Sequence, residues 1–94
     1  MTLYVREYKS LGNAGNAQAP QEPAITDQIV APGASSAPFN ANTTYVRIQS
    51  DAVCSFKFGP TGTTAATTNA RLPANATEYF FVTPGLVVAT VANT

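Results

Sequence analysis

The sequence predicts an all-β protein, a compact antiparallel β-sandwich of jelly-roll type, with a small β-barrel as the alternative. Three observations favour strands over helices. Apolar residues alternate with polar ones, no useful window repeats them at helical spacing, and Pro, Gly, Thr and Asn recur every few residues. The 94 residues are enough for one domain. Many short strands separated by Gly and Pro turns are typical of sandwiches and barrels.

The N-terminal part of the chain is predicted to form an extended arm. Residues 3–9 are the first predicted strand, and the polar stretch 10–24 is rich in Gly, Asn, Gln and Pro, which predicts an exposed or extended linker. We therefore divide the chain into an arm, residues 1–24, made of the N-terminal strand and flexible linker, and a β-sandwich body, residues 25–94. Such an arm can pair within its own chain or add a strand to a neighbouring chain.

The body contains the remaining predicted strands. They cover residues 25–31, 44–50, 53–58, 77–82 and 86–92. Alternation is clearest in 44–50, where Val46 and Ile48 share one face, and in 53–58, where Cys54 and Phe56 do so. These apolar faces are expected to line the core, with Cys54 as a buried, inert thiol.

Two connections carry further expectations. Asp51 and Ala52 separate two of the predicted strands, where a tight hairpin turn would fit, although the glycine that such turns prefer is missing. The loop 34–42 consists of small residues apart from Phe39. We expect this one large apolar side chain to enter the core.

Charge and hydropathy exclude several classes of partner. Charged residues make up 11% of the chain, with five basic and five acidic side chains and a net charge of zero, against about 25% in an average protein. A nucleic-acid binder needs a basic stripe, and the basic residues do not cluster. No segment approaches the roughly 20 apolar residues of a membrane-spanning helix. The low charge instead favours association with protein, including self-association.

The residues needed for chemistry are scarce. The chain has no His and one Cys, and its acidic residues are scattered, so neither a Cys–His nucleophile nor a metal-ligand cluster is indicated. We predict that the protein is not an enzyme and has no catalytic residues, cofactor or metal site. The charged N-terminus is not typical of a secretory signal peptide, which favours synthesis in the cytoplasm.

The aromatic segment 77–82 has apolar residues on both faces. Tyr79 and Phe81 share one side of the predicted strand, and Phe80 and Val82 share the other. Either the strand is central and covered on both sides, or one of its faces is a contact surface. Together with the N-terminal strand, it supplies the candidate interface residues, which are Leu3, Tyr4, Val5, Tyr8, Tyr79 and Phe81.

One class of known proteins has a similar sequence pattern. The similarity is carried by residues 39–54, by Phe58-Gly59, by the corner Arg71-Leu72-Pro73-Ala74-Asn75, by residues 78–80 and by the turn Pro84-Gly85-Leu86. In these segments the chain resembles small virion structural proteins of tailed bacteriophages, in particular capsid decoration, or cement, proteins. The resemblance implies a β-body with an extended arm, made in the host cytoplasm and located on the capsid surface of the virion. There it would bind the major capsid protein and stabilise contacts between neighbouring subunits.

Two alternatives remain open. The same loose patterns occur in head–tail and tail components of phages, so the resemblance does not fix the location within the virion. A glycan-binding adhesion module is the other alternative. Such a module would need an exposed aromatic ring beside a carboxamide, and Tyr45 with Gln49 is the candidate pair.

Overall fold

The computed structural model describes residues 1–9, 11–14, 17–20 and 22–93, and for 11–14 and 17–20 it describes the backbone only. Within these ranges the chain forms nine strands and no α-helix. The strands are β1 Leu3–Tyr8, β2 Leu11–Ala14, β3 Ala17–Pro20, β4 Thr26–Val30, β5 Tyr45–Ser50, β6 Cys54–Gly59, β7 Ala70–Leu72, β8 Thr77–Phe81 and β9 Val87–Ala92. The prediction of an all-β protein is confirmed. No helix long and apolar enough to cross a membrane occurs in the described ranges.

Seven of these strands form two antiparallel sheets with a common core. The larger sheet has the order β4-β1-β5-β8 and the smaller one the order β7-β6-β9. The core combines Leu3, Val5, Val30, Val46 and Ile48 of the larger sheet with Cys54, Phe56, Leu72 and Val88 of the smaller one. The fold is therefore a small β-sandwich, as predicted. The alternative, a closed barrel, does not form, since no strand of one described sheet is paired with a strand of the other.

The inward faces follow the alternation of the sequence. Val46 and Ile48 of β5 are completely buried, and so is the thiol-bearing Cys54 of β6. Phe39 is 3% exposed, and its ring centre lies 6.2 Å from that of Phe58. The predicted core faces and the entry of Phe39 into the core are thus confirmed, because a period of two places alternate side chains on the same side of a strand.

The N-terminal strand is an internal strand of the larger sheet. It pairs antiparallel with β4 on one side and with β5 on the other. Its inward side chains Leu3 and Val5 are buried, and each contributes about 1.5–3 kcal/mol by leaving water. A strand that extended away from the body would lose this contribution. Of the two alternatives left open for this strand, pairing within its own chain is the one that the structure shows, so the strand itself is not extended away from the body.

The predicted linker contains regular backbone. Residues Leu11–Ala14 pair antiparallel with Ala17–Pro20 as a two-stranded ribbon. Periodicity did not predict these strands, because the stretch has few large apolar residues and its pairing is local. Residues 10, 15, 16 and 21 of the predicted linker lie outside the described residues.

The connection at Asp51 and Ala52 is not a hairpin turn. β5 and β6 belong to different sheets, so the chain crosses there from one layer of the sandwich to the other. Both edges of β5 are already occupied by β1 and β8. The hairpin prediction was wrong because strands close in sequence need not be neighbours in a sheet, and the segment lacks the glycine of a primed turn.

A buried carboxylate fixes the segment 37–43, which connects β4 to β5, against the larger sheet. Glu7 of β1 is completely buried. Its Oε1 accepts hydrogen bonds from the backbone N–H of Asn40 and the hydroxyl of Thr43, and its Oε2 accepts one from Nε2 of Gln28, all at 2.8 Å. Gln28 also accepts a hydrogen bond from the N–H of Ala37 at 2.7 Å. These bonds hold β1, β4 and the segment 37–43 in one arrangement.

Candidate protein-docking face

The aromatic strand β8 lies at an edge of the larger sheet and is paired only with β5 in the described structure. Phe80 points inward, with its ring centre 5.5 Å from that of Phe56 and 5.2 Å from that of Phe58. Tyr79 and Phe81 point outward and are 52% and 80% exposed. Of the two interpretations of this strand, central burial on both faces is wrong. The strand has one inner face in the core and one apolar face in solvent.

The exposed apolar side chains are gathered on one side of the molecule. The large ones among the described residues are Tyr4 of β1, Ile29 of β4, and Tyr79 and Phe81 of β8. Tyr4 lies directly opposite Ile29 on one side and Gln49 on the other. Arg47, two residues before Gln49, lies opposite Tyr79. Directly paired residues share a face of a sheet, as do residues two apart. All four side chains therefore lie on the same surface of the larger sheet, which we call the outer face.

One of the two arginines on the outer face is neutralised within the chain. Nε of Arg6 donates a hydrogen bond to Oδ1 of Asp27 at 2.8 Å, and its Nη1 donates one to Oε2 of Glu22 at 3.2 Å. The hydrogen bond to Asp27, followed by one with Tyr8, raises the pKa of the Arg6 guanidinium above its usual value. Arg6 is therefore occupied in an ion-pair network at one margin of the outer face.

The other arginine has no acidic partner in the part of the chain that the structure describes. Arg47 lies between Arg6 and Tyr79 in the register of the sheet, and no acidic side chain of the described residues forms an ion pair with it. The residue is partly buried. The middle of the outer face thus combines apolar side chains with an unneutralised guanidinium.

A row of aromatic rings closes one end of the outer face. Tyr8 stacks on Tyr45 with 5.1 Å between ring centres, and Tyr45 lies 6.0 Å from Phe81. The hydroxyl of Tyr8 donates a hydrogen bond to Oε2 of Glu22 at 3.0 Å. Burial and this hydrogen bond raise the pKa of Tyr8. The row anchors Glu22 over this end of the sheet and leaves only Phe81 in solvent.

The aromatic member of the predicted glycan site is inaccessible. Tyr45 is 3% exposed, so its ring has no free face on which a sugar could stack. Gln49 instead lies opposite Tyr4, which is 47% exposed. The aromatic–carboxamide pair that the outer face offers to solvent is therefore Tyr4 with Gln49.

The predicted interface residues divide into two sets. Leu3, Val5 and Tyr8 are at most 2% exposed and pack within this chain, so in this structure they present no surface to a partner. Tyr4, Tyr79 and Phe81 lie together on the outer face, where an interface role for them stays a prediction. Ile29 was missed, because it and the neighbouring Val30 are both apolar and the sequence does not tell which of the two points outward.

No group of three or more His, Cys, Asp or Glu side chains among the described residues could hold a metal ion. Comparison with protein-family models, with curated proteins and with solved structures found no match to this chain.

Proposed function

We propose that this chain is a structural binding protein that docks on another protein through its outer face. The observation that carries the proposal is the gathering of Tyr4, Ile29, Tyr79 and Phe81 on one sheet surface. Single apolar side chains are ordinary on protein surfaces, whereas a set on one face marks a contact site. Tyr and Phe are also enriched in protein interfaces.

The charge on the outer face specifies what the partner must carry. Arg47 has no acidic partner among the described residues, and covering the face would remove water from its guanidinium. A buried charge without a counter-charge is costly. The partner surface is therefore proposed to place a carboxylate opposite Arg47, within an otherwise apolar or uncharged patch.

The specific partner we propose is the major capsid protein of a tailed bacteriophage. In this proposal the chain binds the outside of the capsid and stabilises the contacts between neighbouring subunits. The support comes from the resemblance of residues 39–54, of the Leu72-Pro73-Ala74-Asn75 corner and of the Pro84-Gly85-Leu86 turn to decoration proteins. Many weak contacts repeated over a shell would add up through avidity.

The test is co-sedimentation of the purified chain with capsid shells that lack it. We expect the double variant Ile29→Ser and Phe81→Ser to bind at least about tenfold more weakly, since loss of an apolar anchor costs about 1–2 kcal/mol. Arg71→Ala is the control, because Arg71 is exposed on β7 of the other sheet. Unchanged binding by the double variant would disprove docking through the outer face.

The same experiment separates the alternatives. Binding to purified necks or tails but not to shells would assign the chain to the head–tail or tail structures. A glycan-binding module is the second candidate function, favoured by the half-exposed Tyr4 opposite Gln49. For that candidate, Tyr4→Ala would abolish retention on a glycan array. Absence of any retention by the unmodified chain would reject it.

A further inference from the structure

The edge of β8 that faces away from β5 carries backbone hydrogen-bonding groups that no described residue uses. The N–H of Val82 donates a hydrogen bond to the carbonyl of Thr44 at 2.9 Å. Val82 and Thr44 continue the register of β8 and β5, so this bond shows which residues of β8 turn their backbone groups toward β5. In an antiparallel ladder, alternate residues turn both backbone groups toward the partner strand. The backbone groups of Phe80 and Glu78 therefore point toward β5, and those of Thr77, Tyr79 and Phe81 point away from it.

The other edges of the two sheets that enclose the core are less suited to pairing. The edge of β9 is covered by the chain itself, because Gly33 and Ser36 donate backbone hydrogen bonds to Thr90 and Val88. β7 has three residues and is followed by Pro73. At the edge of β4, one of the outward-directed residues is the charged Asp27. Short strands, Pro and edge charges are the usual protections against pairing with another chain.

The residues of β8 whose backbone groups point away from β5 have none of these protections. Thr77, Tyr79 and Phe81 include neither Pro nor a charged residue, and all three are exposed. An exposed, apolar edge with free N–H and carbonyl groups is a template for strand addition. We propose that a second copy of this chain pairs its own β8 antiparallel with this edge, forming a symmetric dimer with a continuous eight-stranded sheet.

The charge on β8 disfavours one of the alternative registers of this pairing. Placing Tyr79 opposite Tyr79 of the second copy brings Thr77 opposite Phe81, so each of the outward backbone positions is paired. In that register Glu78 faces Phe80 of the second copy. If the second copy moved along the strand by two residues, Glu78 of one copy would lie opposite Glu78 of the other. Like charges directly opposite each other destabilise a sheet. The net charge of zero adds no general repulsion between two copies.

The symmetry of the dimer has a consequence for docking. Residues paired across an antiparallel ladder point to the same side of the sheet. The two outer faces would therefore lie on one side of the dimer, with Tyr79 and Phe81 of both copies at its centre. Dimerisation is measured on the purified chain alone, so its outcome is independent of whether the capsid proposal holds.

The first measurement is the mass of the full chain by light scattering after size-exclusion chromatography at increasing concentration. We expect twice the 9.8 kDa of one chain. Tyr79→Pro and Phe81→Pro should each shift the protein to the monomer with an unchanged circular-dichroism spectrum, since both lose an N–H that points away from β5. Arg71→Ala should remain dimeric.

The second measurement tests the register by oxidative cross-linking. Tyr79→Cys should form a disulfide-linked dimer, because paired α-carbons in a ladder lie about 5.5 Å apart. Phe81→Cys is the matched control, since the two positions 81 would be four residues apart along the ladder, or about 13 Å. A monomer at every concentration, a trimer or larger species, or cross-linking of both cysteine variants to the same extent would overturn the proposal.

Discussion

Arg47 of β5 lies directly opposite Tyr79 of β8 and has no acidic partner among the described residues. If the partner supplies a carboxylate there, reversal of this charge should oppose docking. We expect Arg47→Glu to weaken binding to capsid shells by roughly 10- to 100-fold, as is typical for one partner of a desolvated charge pair. Arg71→Glu makes the same change on the other sheet and should leave the affinity unchanged in the same binding titration. Equal effects of the two variants would mean that only the overall charge matters.

The buried carboxylate of Glu7 should contribute strongly to stability. Glu7→Ala would leave the Asn40 N–H and the Thr43 hydroxyl without their acceptor, and Nε2 of Gln28 would keep only its 3.3 Å hydrogen bond to the carbonyl of Ala37. Each unsatisfied buried group costs about 1–3 kcal/mol, so we expect a loss of about 3–5 kcal/mol in the free energy of unfolding, measured by urea denaturation. Glu7→Gln keeps an acceptor oxygen and should lose less. A loss below about 1 kcal/mol for Glu7→Ala would contradict the bonding described.

Substitution by alanine should lower the stability strongly at one phenylalanine and hardly at all at another. Phe39 is 3% exposed and packs on Phe58, whereas Phe81 is 80% exposed. Phe39→Ala should lower the free energy of unfolding by about 3–5 kcal/mol through lost burial and a cavity. Phe81→Ala should change it by about 0.5 kcal/mol or less, as is usual for surface positions. Thermal and urea unfolding of the two variants measure the difference, and similar losses would refute the assigned burial.

Because the pKa of Tyr8 is raised in the folded chain, the free energy of unfolding should decrease at alkaline pH. Burial is the main cause, followed by the hydrogen bond to Glu22. The unfolded chain loses the tyrosine proton at the ordinary tyrosine pKa of 10.0, before the folded chain does. The stabilisation is therefore complete below that pH and is lost as the pH rises through the folded-state pKa.

The measurement for Tyr8 is urea denaturation across this alkaline range. The stability of the unmodified chain should fall more steeply above about pH 10 than that of Tyr8→Phe, which has no proton to lose at this position. Near neutral pH, Tyr8→Phe should cost about 1 kcal/mol for the lost hydrogen bond. Parallel curves above pH 10 would show that Tyr8 is not the group responsible.

The sequence predicted which side of β5 and of β6 faces the core, but not which strands are neighbours. Alternation placed Val46, Ile48 and Cys54 correctly, because side-chain direction is a local property of the backbone. Sheet order depends on contacts between distant segments. For this reason the layer change at Asp51 and the edge position of Tyr79 could not be predicted from local pattern.

Only some residues of the candidate site were predicted correctly, because the covering of a strand face also depends on contacts with distant segments. Leu3 and Tyr4 are both apolar members of one strand, and composition does not tell which face of a strand will be covered. The partners of β1 decided this, since Leu3 turned toward the second sheet and Tyr4 toward solvent. Ile29 was recognisable only once its pairing with Tyr4 placed it on the outer face.

The internal position of β1 also affects how the molecule bears mechanical force. A pull along β1 acts parallel to the ladders with β4 and β5, so it loads the hydrogen bonds of both in shear. Strand extraction would require these bonds to break together rather than one after another, and it would also drag the buried Glu7 past its donors. The first strand is therefore the point at which the sandwich should best resist tension.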